Sequence, residues 1–423
     1  MTYTETIIRG LIGILGLLFF CYLCSSNKKS INWSIVIKGL LIQLVFAICI
    51  LHVNIVEKLF QTISNTFLSI LDFTKEGSIF LFGETLVNDP SFGAIFAFQI
   101  LPTIVFFSAL TSVLFYLGIL QKIVYFFAII MKKSMKLSGS ESLAAAGNIF
   151  LGQTESPLLI KPYISKMTQS ELLCLMGGGM ATIAGGVFIA FTAMLGEEFA
   201  PHLLAASVMS APAAIVACKI ILPETKKVNE NMTLTKGDAL GSNVFDSIAL
   251  GTIQGVKLAV NVGAMILVFV AFIALINEVL NLVGQLTGLN DNLSNSTSIY
   301  KNLSMEMIFG YLFAPIAWLI GIPFEDILLA GQLLGEKTVA NEFIAYESLG
   351  EMIKQNTISQ KTSIMATYFL CGFANFLSIG IQIGGIGAIA PERRTDLSRL
   401  GIKALIAGTV ASLLTAIIVG ILI

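Results

Sequence analysis

Two short polar stretches place carboxylates within otherwise apolar sequence. Residues 147–157 read GNIFLGQTESP and include Glu155, and residues 339–346 read VANEFIAY and include Glu342. A carboxylate inside a membrane is costly in free energy, and it usually marks an ion or solute pathway. The serine and proline that end the first stretch predict a helix start. We interpret both stretches as tips of broken helical hairpins rather than as water-exposed loops, because apolar sequence flanks each tip.

A glycine-rich apolar span follows each hairpin. The first covers residues 177–194 and the second covers residues 371–391. Glycines either let helices pack closely or let a helix unwind, and an unwound turn exposes backbone carbonyls that suit a hard cation. Near the first span, the Thr182 hydroxyl and the Asn148 side-chain carbonyl are further oxygen ligands. The sequence therefore indicates a Na⁺ site, and close packing is the alternative explanation of these glycines.

The second glycine-rich span carries a polar group of a different kind. Asn375 and Ser378 are three residues apart and therefore share a helix face. Together with Glu342 they offer an acceptor, an amide and a hydroxyl, a combination that suits a neutral polyol such as a sugar. Interrupted segments at corresponding places in two halves are typical of transporters with a binding site near the membrane midplane.

The composition supports a membrane setting for these segments. The chain has 423 residues, of which 56% are hydrophobic and only 12% are charged. Soluble domains carry about 25% charged residues. The composition therefore excludes a disordered protein and a secreted disulfide scaffold. The net charge of −1 gives no general attraction to nucleic acid. What remains is a multi-pass membrane protein solvated mainly by the lipid bilayer.

Apolar runs of about 20 residues are long enough to cross the bilayer. They predict eight transmembrane spans, at residues 6–25, 34–52, 93–118, 170–195, 202–222, 261–283, 363–385 and 401–423. Residues 54–85 alternate charges with apolar side chains, which predicts amphipathic helices at the membrane surface. The fold class predicted is an all-α polytopic membrane protein of about eight transmembrane helices and two re-entrant helical hairpins in an inverted repeat, with interfacial amphipathic helices.

The positive-inside rule tests this layout. If residues 139–166 and 304–356 both return to the side they entered from, the two termini lie outside. The basic clusters then fall inside: Lys28 and Lys29, Lys132 with Lys133 and Lys136, Lys226 with Lys227 and Lys236, and Arg393 with Arg394 and Arg399. The outer side holds fewer basic residues, Lys337 among them. Residues 223–243 form the predicted inner loop and residues 284–303 a polar outer loop.

We divide the chain into four regions on this basis. They are the N-terminal transmembrane and interfacial helices (1–138), a first half-repeat with hairpin 1 and two transmembrane helices (139–222), a linking region with the inner loop, an amphipathic segment, a scaffold helix and the outer loop (223–303), and a second half-repeat with hairpin 2 and two transmembrane helices (304–423).

Three motifs together resemble the concentrative nucleoside transporters. They are GQTESP in hairpin 1, NEF at residues 341–343, and CGFAN at residues 371–375. The resemblance covers nearly the whole chain in order, and the length is similar to that of the shorter bacterial members. It implies a Na⁺-driven symporter of nucleosides such as uridine in the bacterial inner membrane. It also implies a homotrimer in which a transport domain of each protomer moves like an elevator against a central scaffold.

The resemblance also implies roles for individual residues. The residues facing the nucleobase are Gln153, Thr154 and Glu155, with Val187 as an apolar contact beside the base. The ribose-binding group is Glu342, Asn375 and Ser378, with the aromatic Phe373 nearby. The sodium ligands are Asn148, Leu151, Thr182 and Ile183, of which Leu151 and Ile183 act through backbone carbonyls.

Three alternatives to a Na⁺-driven symporter differ either in the driving ion or in the function of the protein. Glu155 or Glu342 could carry a proton, which would make the protein an H⁺-coupled nucleoside symporter. A channel or membrane receptor is a second alternative, although two dissimilar hairpins do not resemble a symmetric pore. A membrane hydrolase is the third. It is disfavoured because the two histidines, His52 and His202, lie away from the predicted tips. We therefore expect a transporter and not an enzyme.

Overall fold

The computed structural model describes residues 3–88, 95–228, 241–296 and 299–423, and these residues form helices and connections without a strand. Within those ranges, seven helical segments are long and apolar enough to cross a membrane. They are Thr4–Leu23, Trp33–His52, Phe96–Tyr116, Gln169–Leu195, Glu197–Ile221, Val244–Thr287 and Pro391–Leu422. The one predicted span missing from this set, 363–385, consists of two shorter helices separated by a break. The chain is an all-α polytopic membrane protein, as predicted.

Residues 3–88 and 95–138 of the N-terminal part contain seven α-helices. They are α1 (Tyr3–Leu23), α2 (Trp33–His52), α3 (Asn54–Phe82), α4 (Glu84–Asn88), α5 (Phe96–Gln99), α6 (Leu101–Tyr116) and α7 (Ile119–Met135). Residues 54–85, predicted as several amphipathic helices, are mostly the single 29-residue helix α3. That helix stops at Gly83, whose φ of 85° leaves the right-handed helical region.

Hairpin 1 is built from three short helices. They are α8 (Gly139–Asn148), α9 (Ser156–Leu159) and α10 (Lys161–Ile164). Ser138 caps α8 by accepting a hydrogen bond from the Glu141 amide at 3.2 Å. Helix α9 begins at Ser156 with proline in its first turn, as predicted, but Glu155 occupies the N-cap position. Ser156 does not cap the helix, because its hydroxyl donates to the Ala144 carbonyl at 3.2 Å. Three further helices complete this half: α11 (Gln169–Ala181), α12 (Gly185–Leu195) and α13 (Ala200–Ile221).

The middle of the chain differs most from the sequence prediction. Helix α14 (Val244–Thr287) has 44 residues and is followed by α15 (Leu289–Ser296) and α16 (Met305–Leu319). At 1.5 Å per residue, α14 is about twice as long as the hydrocarbon core is thick. The predicted scaffold span 261–283 is therefore only its central part. The polar segment 284–303, predicted as a loop, is largely helical, and residues 229–240 of the predicted inner loop, including Lys236, lie outside the described residues.

The second half repeats the plan of the first. Hairpin 2 consists of α17 (Ile327–Val339) and α18 (Glu342–Lys354), and it is followed by α19 (Gln360–Leu370), α20 (Phe376–Ile389) and α21 (Arg394–Leu422). The hairpin is shorter than the predicted 304–356, because α16 is a separate helix. The expectation that Lys337 lies in an outer loop is wrong: it is in α17 and only 2% exposed.

The helices pack as two groups. Helices α11, α13 and α21 pack on one another, and each hairpin packs on the broken helix pair of its own half, hairpin 1 on α11 and hairpin 2 on α19. The halves also interlock, because α12 contacts α18 and α20 contacts α9. Helices α6 and α14 form a separate pair, packed through glycine surfaces: a Cβ at Gly251 would lie 2.6 Å from the Ser112 Cβ. This arrangement holds the two hairpin tips near the two helix breaks.

Candidate functional site

Two breaks in the helices lie back to back at the centre of the site. The first break, residues 182–184, separates α11 from α12, and the second break, residues 371–375, separates α19 from α20. Gly372 in the second break has a φ of 113°, and a Cβ there would lie 2.7 Å from the Ala181 and Met180 carbonyl oxygens. Only glycine allows this backbone conformation and this close approach. Backbone polar groups of both breaks are thereby brought into one region.

Asn148 and Thr182 both hydrogen-bond to carbonyls in the C-terminal half of α11. The Asn148 amide nitrogen donates to the Leu175 carbonyl at 3.3 Å, and the Thr182 hydroxyl donates to the Gly178 carbonyl at 3.0 Å. A Cβ at Gly178 would lie 2.7 Å from Asn148 Nδ2, so the glycine is what admits the asparagine. The side-chain oxygen Oδ1 of Asn148 is buried without a hydrogen-bond partner in the described parts of the chain.

Leu151 and Ile183 lie beside this pair. The Gly185 amide donates to the Phe150 carbonyl at 3.4 Å, which joins the start of α12 to hairpin 1 directly before Leu151. Both Leu151 and Ile183 are buried. The structure thus gathers a side-chain carbonyl, a hydroxyl and non-helical backbone around the first break. Such uncharged oxygen donors fit a hard monovalent cation, and the unpaired Asn148 oxygen is a ready ligand.

A chain of side-chain hydrogen bonds connects the two halves. The Asn375 amide nitrogen donates to Glu342 Oε2 at 2.7 Å, the Ser378 backbone amide donates to Asn375 Oδ1 at 2.8 Å, and Gln153 Nε2 donates to Ser378 Oγ at 3.2 Å. All four side chains are buried, with Gln153 the most exposed at 8%. The predicted base-facing and ribose-facing groups therefore meet, and the tips of both hairpins contribute to one polar chain.

Helix starts hold the second-half members of this chain in position. Asn341 caps α18 by accepting from the Ile344 amide at 3.1 Å, and Asn375 caps α20 in the same way through its bond with Ser378. Glu342 is the first residue of α18. The positive end of a helix dipole favours an ionised carboxylate there. The asparagine caps thus both start the helices and fix the polar atoms that face the other half.

The remaining predicted site residues lie around the chain in different ways. Thr154 packs against α20, since a Cβ at Gly385 would lie 2.7 Å from its Cγ2. Val187 is buried in the first turn of α12. Phe373 is half-buried in the second break, where its carbonyl accepts from the Asn375 amide at 2.9 Å.

Glu155 is on the same tip as Gln153 but faces another direction. Its carboxylate accepts from the Gly152 amide at 3.2 Å. The side chain lines a cleft together with Ser108 and Ser112 of α6 and Gln254 of α14. Glu155 therefore looks towards the α6–α14 pair, whereas Glu342 is enclosed between the two halves.

Lys337 is a functional candidate that the sequence reasoning missed. Its ammonium donates to the Phe369 carbonyl at 2.7 Å and to Ser412 Oγ at 3.4 Å, and Ser412 Oγ donates to the Cys371 carbonyl at 2.7 Å. A fixed ammonium thus satisfies carbonyls at the second break. The available signal was a lysine five residues before Glu342 in an apolar hairpin.

Gln382 is the second residue that sequence reasoning missed. It is fully buried on α20, and its Nε2 donates to Gln153 Oε1 at 3.0 Å and to the Met176 carbonyl at 2.9 Å. Its spacing is the signal in the sequence, because Asn375, Ser378 and Gln382 recur at i, i+3 and i+7 on one helix face.

Comparison with known proteins gives consistent matches along the chain. The family model described as "Na+ dependent nucleoside transporter C-terminus" matches residues 202–420, the corresponding N-terminus model matches residues 12–85, and a model described as "Nucleoside recognition" matches residues 97–198. The chain is 41% identical to the uncharacterized transporter YutK of Bacillus subtilis, over 98% of this chain and 99% of that protein. It is 38% identical to sodium/nucleoside cotransporter 1 of Mus musculus, over 97% of this chain and 63% of that protein.

Solved structures are similar over the same extent. CNTnw in an inward-facing substrate-bound state has a TM-score of 0.90 and 36% identity, covering 98% of this chain and 97% of that chain. A substituted form of CNTnw in an outward-facing state has the same TM-score, identity and coverage. Two access states of one transporter therefore share this architecture.

Proposed function

Because the chain belongs to the Na⁺-dependent, or concentrative, nucleoside transporter family, we propose that it is a secondary active symporter importing nucleosides such as uridine with Na⁺. Members of the family are transporters and not enzymes, and the apolar helices make this one a multi-pass membrane protein. The observation that carries the proposal is the buried polar chain from Gln153 to Glu342, which spans both hairpin tips.

The nucleoside replaces hydrogen bonds that these side chains now make with one another. Glu342, Asn375 and Ser378 bind the ribose hydroxyls, with Phe373 packing nearby. Gln153, Thr154 and Glu155 face the nucleobase directly or through water, Glu155 from the cleft that it lines with α6 and α14. Val187 is an apolar wall beside the base. Buried polar groups that lose their partners cost about 1–3 kcal/mol each. The site therefore favours a solute that restores every bond it displaces, as a nucleoside with intact hydroxyls does.

Sodium binds at the first break in this proposal. Asn148 and Thr182 supply side-chain oxygens, and Leu151 and Ile183 supply backbone carbonyls. A nucleoside is neutral, so the membrane potential acts on it only through the ion, which is worth about 2.3 kcal/mol per 100 mV for one charge. Hairpin 1 carries both Asn148 and Gln153, so Na⁺ binding orders the tip that holds the base. Linkage then makes each ligand strengthen binding of the other.

Alternating access moves the hairpins and broken helices as a body against α6 and α14. Where α12 meets α6, the α12 surface has no side chain: a Cβ at Gly185 of α12 would lie 2.4 Å from the Phe107 ring of α6. Glycine surfaces leave few side chains to disengage during sliding. The Glu155 cleft lies at this boundary, where it is lined from both parts.

We expect a homotrimer with α14 near its centre. Only 11% of the most apolar stretch of α14 is buried within one chain. Leu267 and Leu275 in this helix are 70% and 60% exposed. A helix longer than the bilayer is thick, with an apolar surface over its length, suits contact with other copies. Light scattering corrected for detergent should give about three times the 45.5 kDa chain mass. A single-chain mass at all concentrations would contradict the trimer.

Proteoliposomes with separately imposed gradients test the driving ion. An inward Na⁺ gradient at equal pH should accumulate uridine above its outside concentration, and an inward proton gradient without Na⁺ should not. Accumulation driven by the proton gradient alone would instead establish the H⁺-coupled alternative. Equilibration without accumulation under either gradient would indicate a channel. Uptake of labelled uridine in the presence of excess unlabelled uridine measures the non-saturable leak and serves as the control.

A further inference from the structure

Gln382 connects the nucleobase side of the site to the protein backbone. It lies four residues after Ser378 on α20 and therefore on the same helix face. Its Nε2 donates to the Met176 carbonyl on α11 at 2.9 Å and to Gln153 Oε1 in hairpin 1 at 3.0 Å. None of the roles assigned above uses this residue, although it touches the proposed base-binding glutamine directly.

Only one orientation of the Gln382 and Gln153 side-chain amides pairs each donor in this contact with an acceptor. A backbone carbonyl such as that of Met176 only accepts hydrogen bonds, so Gln382 must turn its Nε2 towards it. Because the same Nε2 faces Gln153, that side chain must present its Oε1 to Gln382. The amide nitrogen of Gln153 is then directed to the other side, where it donates to Ser378 Oγ at 3.2 Å.

Packing around the two amides supports a fixed orientation. A Cβ at Gly179 would lie 3.0 Å from both the Gln153 Cβ and the Gln382 Nε2, so the pair fills the space left by a glycine. Gln382 Oε1 is buried without a partner among residues that the structure describes. If the Gln382 amide were turned over, its Oε1 would face the Met176 carbonyl oxygen. The repulsion between these two acceptors would cost more free energy than leaving Oε1 unpaired.

We propose that Gln382 is a positioning residue that sets which hydrogen-bonding edge of a nucleobase the transporter selects. By holding Gln153 Oε1, it leaves the Gln153 amide nitrogen to face the solute. The transporter therefore selects bases that present a carbonyl oxygen there, as in uridine and inosine, over bases that present an amino group, as in cytidine and adenosine. This inference rests on the proposed function, which assigns Gln153 to the base.

Binding of matched nucleoside pairs in saturating Na⁺ tests the inference. Uridine should bind about tenfold more tightly than cytidine, and inosine than adenosine, which is the factor expected for one hydrogen bond gained instead of a donor–donor clash. Gln382→Leu should reduce each ratio to within about twofold, because Gln153 can then turn either amide edge to the base. A purely structural role would weaken both members of a pair equally and leave the ratios unchanged.

Gln382→Glu keeps the side-chain shape and provides a second, independent readout. The introduced carboxyl group must accept a hydrogen bond from Gln153, either as a carboxylate or as a neutral acid that donates its O–H to the Met176 carbonyl. The side-chain amide of Gln153 should therefore turn over, and the affinity ratios should favour cytidine and adenosine. Gln61→Leu, at an exposed position of α3, is the control and should leave the ratios unchanged.

The outcomes separate this inference from the proposed function. Wild-type ratios near one, or ratios unchanged in both Gln382 variants, would overturn the inference while nucleoside binding stands. Should Gln382→Leu fail to fold, the ratios of Gln382→Glu decide alone. Absence of any nucleoside binding by the wild-type protein in Na⁺ would instead overturn the proposed function.

Discussion

Replacing Glu342 by glutamine is expected to abolish uridine uptake at micromolar concentrations, by lowering the affinity for uridine about a hundredfold. The carboxylate accepts from Asn375 at 2.7 Å and is buried between the two halves. In the proposed complex, the carboxylate accepts two charge-assisted hydrogen bonds from ribose hydroxyls, which together are expected to stabilise binding by about 3 kcal/mol. Glutamine keeps the packing but removes the charge and replaces one acceptor by a donor. Uptake and calorimetric uridine binding measure the effect.

The loss should be specific to the ribose hydroxyls. 2′,3′-Dideoxyuridine should bind weakly to the wild-type protein, and Glu342→Gln should weaken its binding no further, because the missing partners are the same. Asn375→Ala should likewise abolish uridine uptake while the helical content is retained. Glu347→Gln, at an exposed position of α18, is the matched control. Uridine affinity of Glu342→Gln equal to that of the wild type would remove the ribose assignment.

Replacing Asn148 by leucine is expected to raise the Na⁺ concentration for half-maximal uptake at least tenfold, the effect of about 1.4 kcal/mol of lost ion binding. Leucine has a similar branched shape but lacks the buried Oδ1, which has no partner within the described ranges. Through linkage, uridine affinity should fall at low Na⁺ and recover towards the wild-type value as Na⁺ is raised.

The recovery distinguishes an ion ligand from a residue needed only for folding. Asn65→Leu, on the exposed face of α3, tests whether an asparagine-to-leucine change has a general effect. An Asn148→Leu protein with unchanged Na⁺ dependence of uptake would exclude Asn148 from the sodium site.

Local sequence signals predicted those parts of the fold that depend on short-range chemistry. The helix start at Ser156 follows from the proline after it, and the apolar spans follow from hydropathy. The glycines left close packing and unwinding open as alternatives, and the structure has a break that begins at Thr182. The length of α14 could not be predicted in this way. Polar residues that flank an apolar span are interpreted as loops unless the helices that pack against them are known. Lys337 was misplaced for a related reason: hydropathy treats a lysine as exposed, whereas two oxygen atoms from residues distant in sequence, the Phe369 carbonyl and the Ser412 hydroxyl, make its burial possible.

The four residues of the polar chain could be named from the sequence, but their hydrogen bonds and the contributions of Lys337 and Gln382 could not. Glu342, Asn375 and Ser378 could be grouped by spacing, and the motifs pointed to Gln153. The bond between Gln153 and Gln382 joins residues 229 positions apart, and local pattern carries no information about it. The direction of Glu155, towards α6 and α14, likewise depends on how separate helices pack.

We propose that the buried polar chain between the two hairpin tips binds a nucleoside, that the first break binds Na⁺, and that each ligand strengthens binding of the other. Calorimetric titration of the purified wild-type protein with uridine, in NaCl and in choline chloride of equal ionic strength, tests it most directly. We expect saturable binding in NaCl and an affinity at least about tenfold lower in choline chloride, as a linkage of about 1.4 kcal/mol requires. Equal affinity in the two salts, or no binding of uridine in NaCl, would contradict the claim.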